Sequence, residues 1–569
     1  MIQIRKALPA IILTMILLAQ ISSSVRADTK KIDGFGIGSG THLRVGTAGL
    51  SSALDEQQWM GVHWSREDLP WSEVEYPIGQ MRTELPFGEA YWDFNLLLSE
   101  SAQRDIQVVF ILDYQPYYLR DQPFSPDVFL AAWERYVKLA VDTFGDKVDA
   151  WEIENEMNSR MFWGKVVRSD GGNAEPDPAF YARMLQAAYK IIKQKDPGDV
   201  VVLGGLVTIT DSDCATNPYV YLGGLYNLGA WDSFDVISFH PYWSANNPEA
   251  FIPRGKAHSP DTGACLDSVA TRNLIGETRE LRDLANKLGA KPIWITEIGW
   301  SNDWLVQRAS ERGTTTDVVE ADYLVRTYVP LLSEEGMDKL FWYTQVEPLN
   351  SAENFTLGSN GKQAFRNLSL LLNGGKALGQ VQGQNDRGGA ADDDVYEYRF
   401  SNSGKTIVVA WKARGGDVVR NVALQDISAS TVRVYLCDAE DISDTAGIEL
   451  AVNSNSIQVD LTEHSVLIVF EDANLLEKAW NDFVESVQKW WDEQSESVQR
   501  QIKEWWNEQS KKLADQFDQW WADFQKQLQA WFEQQLANWI NQLCGGSAFI
   551  LPSLALTLFI SRRSVKRKR

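Results

Sequence analysis

Glutamates follow two apolar segments of the chain. Glu152, Glu154 and Glu156 end the segment VDAWEIENE, and Glu297 follows the segment PIWIT. A carboxylate at the end of a buried strand costs free energy unless it is paired or used. Two neighbouring carboxyl groups raise the pKa of one of them, so that one can donate a proton while the other is ionised and nucleophilic. The pattern therefore predicts a pair of carboxyl groups that perform acid and nucleophilic chemistry.

Short apolar segments alternate with amphipathic segments from residue 31 to about 375. The predicted strands are Gly34–Ile37, Met60–Trp64, Gln107–Leu112, Val148–Ile153, Val200–Leu203, Val236–Phe239, Pro292–Thr296 and Lys339–Tyr343. Eight strands alternating with helices predict an α/β fold, a (β/α)8 TIM barrel over residues 28–375. An open doubly wound sheet is the alternative, although no Gly-rich dinucleotide fingerprint follows the first strand. In a barrel the carboxyl ends of the fourth and seventh strands would bring the glutamates together.

Downstream of the predicted barrel the pattern changes twice. Residues 376–472 hold short alternating or apolar runs split by turn residues, which predict a small β-sandwich. Residues 473–543 contain no Pro or Gly and many Trp, and their apolar positions repeat every 15 residues, which predicts a long amphipathic helix. Three interpretations of this helix remain open: an oligomeric coiled-coil stalk, a helix lying on a membrane or another envelope layer, and a hairpin folded back on the sandwich.

Both ends of the sequence have the pattern of targeting segments. Residues 1–27 combine Arg5 and Lys6 with an apolar run and a small-residue cleavage site, which predicts a secretory signal peptide. An N-terminal membrane anchor is the alternative. Residues 544–569 place an apolar run before a basic cluster and resemble the C-terminal sorting tails of prokaryotic surface proteins. We therefore expect an exported, extracellular protein attached to the cell surface or membrane, with the tail either kept as an anchor or replaced.

Net charge and cysteine content limit which partners, disulfides and metal sites the chain can be expected to have. The net charge is −23 over 569 residues, so the chain has no electrostatic footprint for nucleic acid. Cys214 and Cys265 fall in loop-like sequence, and both a disulfide between them and two free thiols remain open. The five His and four Cys show no zinc-ligand spacing, so no metal site is predicted.

The barrel segment resembles glycoside hydrolase clan A, the retaining (β/α)8 glycosidases, and within it the β-xylosidase and α-iduronidase-like families. The resemblance rests on IENEMN and ITEIGW, since the clan has an Asn-Glu pair at the end of the fourth strand and a Glu at the end of the seventh. It implies that Glu156 is the general acid/base and Glu297 the nucleophile. Asn155 would bind the sugar 2-hydroxyl. Two such carboxyl groups stand about 5 Å apart.

Other segments of the same resemblance supply substrate-binding residues. GVHWSREDLPWSEVE resembles the second-strand segment, in which Arg66 braces the nucleophile. SFHPYW resembles the sixth strand and implies that His240 and Tyr242 lie near the nucleophile. LFWYTQVEP resembles the eighth strand and makes Trp342 the floor under the sugar. The remaining glutamates of WEIENE keep both a structural and a substrate-binding interpretation.

The resemblance implies a retaining glycoside hydrolase that cleaves a β-linked polysaccharide or oligosaccharide at the cell surface. Two carboxyl groups suffice for that reaction, so neither a metal nor an organic cofactor is expected. Five loop tryptophans suit stacking against the C–H face of a sugar, and ordinary packing inside the protein is an equal alternative for each of them. They are Trp71, Trp163, Trp243, Trp300 and Trp304. The alternative, from another class, is a non-catalytic carbohydrate-binding or structural cell-surface protein displayed on a helical oligomerisation stalk.

Overall fold

The computed structural model describes residues 31–471 apart from short gaps at 39, 88–89, 121–122, 169, 209–212, 335, 347–353, 383–393, 416–417, 424–430, 444 and 455. The predictions for the signal peptide at 1–27, the helical segment 473–543 and the tail 544–569 lie outside the described residues and stay predictions. Among the helices of the described ranges, none is both long and apolar enough to cross a bilayer.

In the described part of the chain, nine parallel strands form a curled sheet. The order across the sheet is Val200–Leu203, Ala150–Ile153, Gln107–Asp113, Trp64–Pro70, Phe35–Gly38, Met337–Tyr343, Ile293–Ile298, Ile237–His240 and Leu206–Val207. Both ends of this order belong to one stretch of chain, and the Leu203 N–H donates to the carbonyl of Val236 at 2.9 Å. The strand order is the one predicted for a (β/α)8 barrel, and the alternative of an open doubly wound sheet is wrong.

Helices connect the strands and pack their apolar sides against the sheet. Those of the described ranges are Thr41–Met60, Trp71–Val74, Phe94–Ala102, Tyr117–Arg120, Pro126–Phe144, Arg160–Val167, Pro178–Lys195, Pro218–Asn227, Leu274–Leu288, Asn302–Arg312, Thr316–Leu332 and Ser359–Leu372, with 3-10 turns at Gly145–Lys147 and Trp231–Ser233. Local sequence sets their ends. The carboxylate of Asp177 accepts hydrogen bonds from the N–H groups of Ala179 and Phe180, and Pro178 begins that helix.

The second strand departs most from its predicted boundaries. It covers Trp64–Pro70 rather than residues 60–64, because the helix Thr41–Met60 continues through the preceding apolar residues. That helix ends at Gly61, whose φ of 75° suits a glycine cap. The strand buries polar side chains, Arg66 among them, and a strand with polar inward-facing residues is hidden from an apolar pattern.

Two antiparallel hairpins lie in loops that follow parallel strands. They are Glu84–Phe87 with Ala90–Asp93, and Ile252–His258 with Cys265–Arg272. A disulfide joins Cys214 to Cys265, with their Cα atoms 5.6 Å apart. The pairing that the sequence left open is therefore formed, and it ties the loop after Leu206–Val207 to the second hairpin. Disulfides of this kind are typical of exported proteins.

Antiparallel strands form the part of the described chain that follows the parallel sheet. The larger sheet has the order Lys376–Gln382, Val395–Asn402, Lys405–Lys412, Val466–Glu471, Thr431–Leu436 and Ile448–Ala451, and Val418–Ala423 pairs with Ser456–Leu461 in a smaller sheet. Side chains of both sheets share one apolar cluster, which includes Val408, Ile457 and Ile468. The prediction of a sandwich-like β-module is confirmed.

A charge cluster joins the helix Thr316–Leu332 to this β-module. The ring nitrogens of His464 lie 3.0 Å from Asp322 Oδ1 and 2.9 Å from Asp438 Oδ1. Arg312 pairs with the other oxygen of Asp322 at 2.6 Å. Burial lowers the pKa of His464, but the hydrogen bonds to both carboxylates outweigh burial and raise the pKa from 6.5 to about 9. His464 therefore carries a proton at neutral pH and links the two parts of the molecule.

Replacing His464 with glutamine is expected to destabilise the protein more at about pH 6 than at about pH 10. Since the pKa is raised in the folded state, protonation stabilises that state fully below about 6.5, and the contribution is lost as the pH rises through about 9. The shift corresponds to about 3 kcal/mol of unfolding free energy at the lower pH. Urea unfolding followed by tryptophan fluorescence measures the loss.

The matched control for this stability prediction is His63→Gln. The ring of His63 lies 2.9 Å from the neutral amide of Asn373, so its replacement removes a hydrogen bond to an amide rather than an ion pair. An equal loss of stability at the two pH values for the His464 variant would contradict the assigned ion-pair cluster.

Candidate active site

Polar side chains from several strands converge at the carboxyl end of the parallel sheet. Arg66 lies in the strand Trp64–Pro70, and Glu156 follows the strand that ends at Ile153. His240 ends its strand, and Glu297 lies near the end of Ile293–Ile298. A ring nitrogen of His240 and one carboxylate oxygen from each glutamate all lie within 4.8 Å of one another. The structure therefore brings the two sequence-predicted glutamates together.

The guanidinium of Arg66 is at the centre of the hydrogen-bond network. It is fully buried and donates to both oxygens of Glu152, at 2.6 and 3.0 Å. It also donates to Glu297 Oε1 at 2.6 Å and to Asn155 Oδ1 at 3.0 Å. A planar fork of N–H donors orients carboxylates in a way that a lysine cannot. Glu152, which also accepts from the Gly205 N–H at 3.0 Å, therefore occupies a structural place beneath the site.

Glu156 and Glu297 have different partners. The Tyr242 hydroxyl donates to Glu297 Oε2 at 2.8 Å, whereas Glu156 Oε1 contacts His240 Nδ1 at 2.9 Å. The other ring nitrogen of His240 lies 2.8 Å from Thr296 Oγ1, which fixes the orientation of the ring. The side chains of Glu156 and Glu297 are buried, yet each residue keeps some accessible surface, 8% and 7%.

The two carboxyl groups have pKa values shifted in opposite directions. Burial raises the pKa of Glu156 above its ordinary value, and the hydrogen bond from His240 reduces this effect without cancelling it. Burial acts in the same direction on Glu297, but the neighbouring charges and hydrogen bonds of His240, Arg66 and Tyr242 outweigh burial and lower its pKa. Two titratable groups driven apart in this way suit one role as acid and another as ionised nucleophile.

The backbone at Glu154 and Glu156 is in the left-handed region. Their φ angles are 60° and 51°, which residues other than glycine rarely adopt. Such conformations cost about 1–3 kcal/mol each and are concentrated at functional sites. The turn is fixed by hydrogen bonds from the Glu154 N–H to the Leu112 carbonyl at 3.1 Å and from the Ser159 N–H to the Glu156 carbonyl at 2.7 Å. This turn allows the Glu156 side chain to reach His240.

The prediction that Trp342 forms the floor under a sugar is wrong. Its side chain is completely buried, and its ring stacks on Trp300 with centroids 5.7 Å apart. Tyr343, the next residue, is half-buried. Its ring lies 6.3 Å from that of Tyr242 and 5.2 Å from the guanidinium carbon of Arg44. The strand therefore presents Tyr343 to the site and directs Trp342 into the core.

The loop tryptophans are also mostly core residues. Four of the five are buried, namely Trp71, Trp163, Trp243 and Trp300. Trp71, for example, stacks on Tyr136 with ring centroids 4.9 Å apart. Trp304 is half-buried and packs edge-on against Phe355 at 5.1 Å. The expectation of sugar stacking is wrong for the four buried rings, because their faces are used inside the protein.

The sequence patterns do not single out Asp68 and Asp113, which the structure places beside the site. Asp68 lies two residues after Arg66 in the same strand, and Asp113 ends the neighbouring strand Gln107–Asp113. A carboxylate at the carboxyl end of the predicted strand VVFIL is a signal that would have found Asp113. Predicting the position of Asp68 requires the true boundaries of the second strand, and an apolar pattern misplaces them.

Two groups of described residues have ligand atoms close enough together to hold a metal ion. They are Glu156, His240 and Glu297 in the site, and Asp322, Cys437 and His464 at the β-module. In both groups the protein's own cations already neutralise a carboxylate, Arg66 in the first and Arg312 in the second. The donor sets therefore suit ion pairs within the protein, and the expectation of no metal or cofactor stays a prediction.

The fold is one that glycoside hydrolases have. A family 39 glycoside hydrolase from the gut symbiont Bacteroides cellulosilyticus has a TM-score of 0.55 and 19% identity, over 77% of this chain and 80% of that one. A GH30 endoxylanase from Clostridium papyrosolvens has a TM-score of 0.49 and 13% identity, over 78% and 97%. A family 51 α-L-arabinofuranosidase from Bifidobacterium longum has a TM-score of 0.49 and 11% identity, over 79% and 98%. No protein-family model and no curated protein sequence matches the chain.

Proposed function

We propose that the protein is an exported retaining glycoside hydrolase in which Glu156 is the general acid/base and Glu297 the nucleophile. One observation carries the proposal: the two carboxyl groups face each other with oxygens within 4.8 Å and with pKa shifts of opposite sign. A retaining mechanism needs carboxyl groups about 5 Å apart, whereas an inverting one needs about 6.5–9.5 Å to admit a water. The fold shared with a family 39 glycoside hydrolase supports the same class.

The reaction proceeds in two displacements. In the first, the Glu297 carboxylate attacks the anomeric carbon, the glycosidic C–O bond breaks, and Glu156 gives its proton to the leaving oxygen. In the second, Glu156 takes a proton from water, whose oxygen attacks the anomeric carbon and displaces Glu297. Two inversions at one carbon retain its configuration.

The other predicted site residues receive roles from their contacts. Asn155 is half-buried and is held by Arg66, which suits a contact with the sugar 2-hydroxyl. Tyr242 and Arg66 hold Glu297, and Tyr343 rather than Trp342 supplies the aromatic face. The proposed substrate is a β-linked polysaccharide or oligosaccharide. Attachment through residues 544–569 and self-association through residues 473–543 complete the proposal.

The test is hydrolysis of a panel of aryl α- and β-glycosides and soluble glycans by the full chain, with NMR of the first-formed anomer. Turnover with retained configuration supports the proposal. An inverted product contradicts the two-step mechanism. Tight binding of a glycan without any turnover would contradict the proposal in favour of the non-catalytic carbohydrate-binding alternative.

Replacing Arg66 with lysine is expected to lower kcat about 100-fold and to move the acid limb of the pH profile to higher pH. Lysine keeps the charge but loses the fork that bonds Glu152 and Glu297 together. Since those bonds lower the pKa of Glu297, weakening them raises it, and ionised Glu297 appears only at higher pH. The profile of kcat/KM against pH measures the shift.

The control for this variant is Arg326→Lys. Arg326 is equally buried, but its carbonyl and carboxylate partners lie at the β-module and around Glu249. Its replacement is expected to leave the acid limb in place even if it lowers stability. An acid limb that does not move in the Arg66 variant would show that Arg66 does not set the protonation of Glu297.

A further inference from the structure

A second pair of carboxyl groups lies beside the proposed catalytic pair. Asp68 and Asp113 come from neighbouring strands at the carboxyl end of the sheet, and their side chains are joined by a hydrogen bond. The charge of Glu297 acts on Asp68, as does that of Arg66. Asp68 and Asp113 therefore lie at the same end of the sheet as the proposed catalytic pair and within reach of its charges.

One buried oxygen of this second pair has no donor from the described residues outside the pair. Asp113 is 2% exposed, and apart from its link to Asp68 its Oδ1 has no hydrogen-bond partner there. Asp68 is half-buried, and a Cβ placed on Gly40 would approach its Oδ2 to 2.5 Å, so a side chain at position 40 would displace the Asp68 carboxyl group. Buried carboxyl oxygens are normally hydrogen-bonded. Hydroxyl groups of a ligand would supply what the described part of the protein does not.

The charge of the pair limits what it can bind. Burial raises the pKa of both groups, and that of Asp113 lies well above its ordinary value, whereas Arg66 and Arg44 favour the ionised form of Asp68. A hydrogen bond between two carboxyl groups needs a proton, so the pair holds one proton, and the nearby guanidinium groups favour a negative charge on the other carboxyl group. The shared proton is used in the hydrogen bond within the pair, so toward a ligand the pair accepts hydrogen bonds, which matches the O–H donors of a sugar. A sugar carboxylate only accepts and would face a like charge.

Two aromatic rings lie near the pair. Tyr114 follows Asp113 with a φ of 57° and is 37% exposed. The charge of Asp68 is the largest of the influences that raise the pKa of the Tyr114 hydroxyl, which places the two side chains near each other. Arg44, whose charge also acts on Asp68, lies over the Tyr343 ring. A sugar ring can pack its C–H face on such rings while its hydroxyls reach the carboxyl groups.

We propose that Asp68 and Asp113 bind adjacent hydroxyl groups of the sugar whose anomeric carbon lies between Glu156 and Glu297. They thereby select neutral sugars and exclude uronic acids. This inference rests on the proposed glycoside hydrolase function and adds the class of sugar that the site takes. Asp68 supplies the accepting carboxylate, and Asp113 supplies the proton that keeps the pair singly charged.

The first experiment compares matched substrates that differ only in a carboxylate. The probes are 4-nitrophenyl β-D-glucoside with the β-D-glucuronide, the β-D-galactoside with the β-D-galacturonide, and the β-D-xyloside with the α-L-iduronide as a further pair. The full chain is expected to hydrolyse a neutral probe at least about 100-fold more efficiently in kcat/KM than any uronide. A preference for a uronide, or equal rates on both, would overturn the inference while leaving the proposed function intact.

The second experiment is a double-change cycle that combines the Asp68→Asn substitution in the protein with the removal of one hydroxyl group from the substrate. On the best neutral probe the variant is expected to lose about 100-fold in kcat/KM. On the 4-deoxy or 6-deoxy analogue that is poorest for the unmodified protein, the variant and the unmodified protein are expected to have similar rates, because the contact is already absent. Equal losses on the parent and on every deoxy probe would mean that Asp68 only supports the structure, and would overturn the inference.

Two further variants make the result independent of folding. Asp113→Asn keeps a donor toward Asp68, so it is expected to lose less activity than Asp68→Asn, and it replaces that variant in the cycle if Asp68→Asn melts early. Asp127→Asn, whose side chain is 89% exposed in a pair with Arg183, is the control and is expected to change neither rate nor selectivity. If the full chain hydrolyses none of the probes or glycans, the proposed function fails and the inference fails with it.

Discussion

Replacing Glu297 with glutamine is expected to lower kcat by about 10⁴-fold or more on every substrate that the protein hydrolyses, which corresponds to about 5.5 kcal/mol or more of barrier. Glutamine preserves the shape of the side chain and can remain beside Arg66 and Tyr242, which lie 2.6 and 2.8 Å from the carboxylate. A neutral amide cannot form the glycosyl ester of the first displacement. The loss is therefore chemical and is expected in kcat more than in KM.

Trapping of the intermediate gives a second readout of the same variant. A 2-deoxy-2-fluoro glycoside with a good leaving group is expected to add one glycosyl unit to the unmodified protein, on the peptide that carries Glu297, and to leave the variant unlabelled. Mass spectrometry measures both. Labelling of another carboxylate, or turnover by the variant close to that of the unmodified protein, would contradict the assignment of Glu297 as nucleophile.

The control is another buried glutamate of the same barrel. Glu320 is fully buried and accepts a hydrogen bond from the Gly358 N–H at 2.8 Å. Burial raises its pKa to about 8, so at neutral pH it is mostly protonated and already resembles glutamine. Glu320→Gln is expected to keep activity and stability close to those of the unmodified protein. The contrast separates the loss of a reacting carboxylate from the loss of any buried acid.

The sequence was sufficient to predict most of the parallel sheet, because parallel strands that are covered on both sides are continuous apolar runs. Seven of the eight predicted strands overlap the observed ones by most of their length, and Val200–Leu203 agrees at both ends. The second strand failed for a physical reason. Its inward side chains include a charged group that pairs with a charge on another strand, as Arg66 does with Glu152, and no hydrophobicity pattern records such pairing.

The positions of candidate site residues could be predicted from the sequence when the residues lie at or just after the end of a strand. Glu156, His240 and Glu297 each end or follow a strand, and the order of strands alone brings those ends together. The choice between Trp342 and Tyr343 depends on register instead. The pairing of the last two strands of the barrel shifts between Ile295 and Ile298, and a shift of one residue exchanges the side chains that face inward and outward.

The Asp68 and Asp113 pair and the Cys214–Cys265 disulfide needed three-dimensional distances. Asp68 and Asp113 are 45 positions apart by their numbers, and a strand pairing that the misplaced second strand hides is what brings them together. The two cysteines are separated by 51 residues, and the hairpin that begins at Cys265 brings them within bonding distance. Neither contact has a local sequence signal, because the two residues of each pair lie far apart in the chain.

Replacing Glu156 with alanine is expected to have an effect that depends on the leaving group. For glycosides with a poor leaving group, such as natural oligosaccharides, the loss in kcat/KM is expected to reach about 10³–10⁴-fold, because no acid protonates the departing oxygen. For a 2,4-dinitrophenyl glycoside, whose phenolate departs without a proton, kcat/KM is expected to fall less than about tenfold. A comparable loss on both kinds of substrate would contradict the role of Glu156 as general acid.

The same variant tests the second displacement, in which Glu156 acts as a base. Without that base water reacts slowly with the Glu297 ester, so the intermediate accumulates, a burst of dinitrophenolate precedes a slow steady state, and KM falls. Azide needs no base, and it is expected to restore turnover and give a glycosyl azide of retained configuration. Burial raises the pKa of Glu156 in the intact protein, so activity declines as the pH rises through that pKa, and this basic limb is expected to disappear in the variant. Because Glu297→Gln forms no ester, it shows neither burst nor azide product of retained configuration, and the two variants together assign one carboxyl group to each half of the reaction.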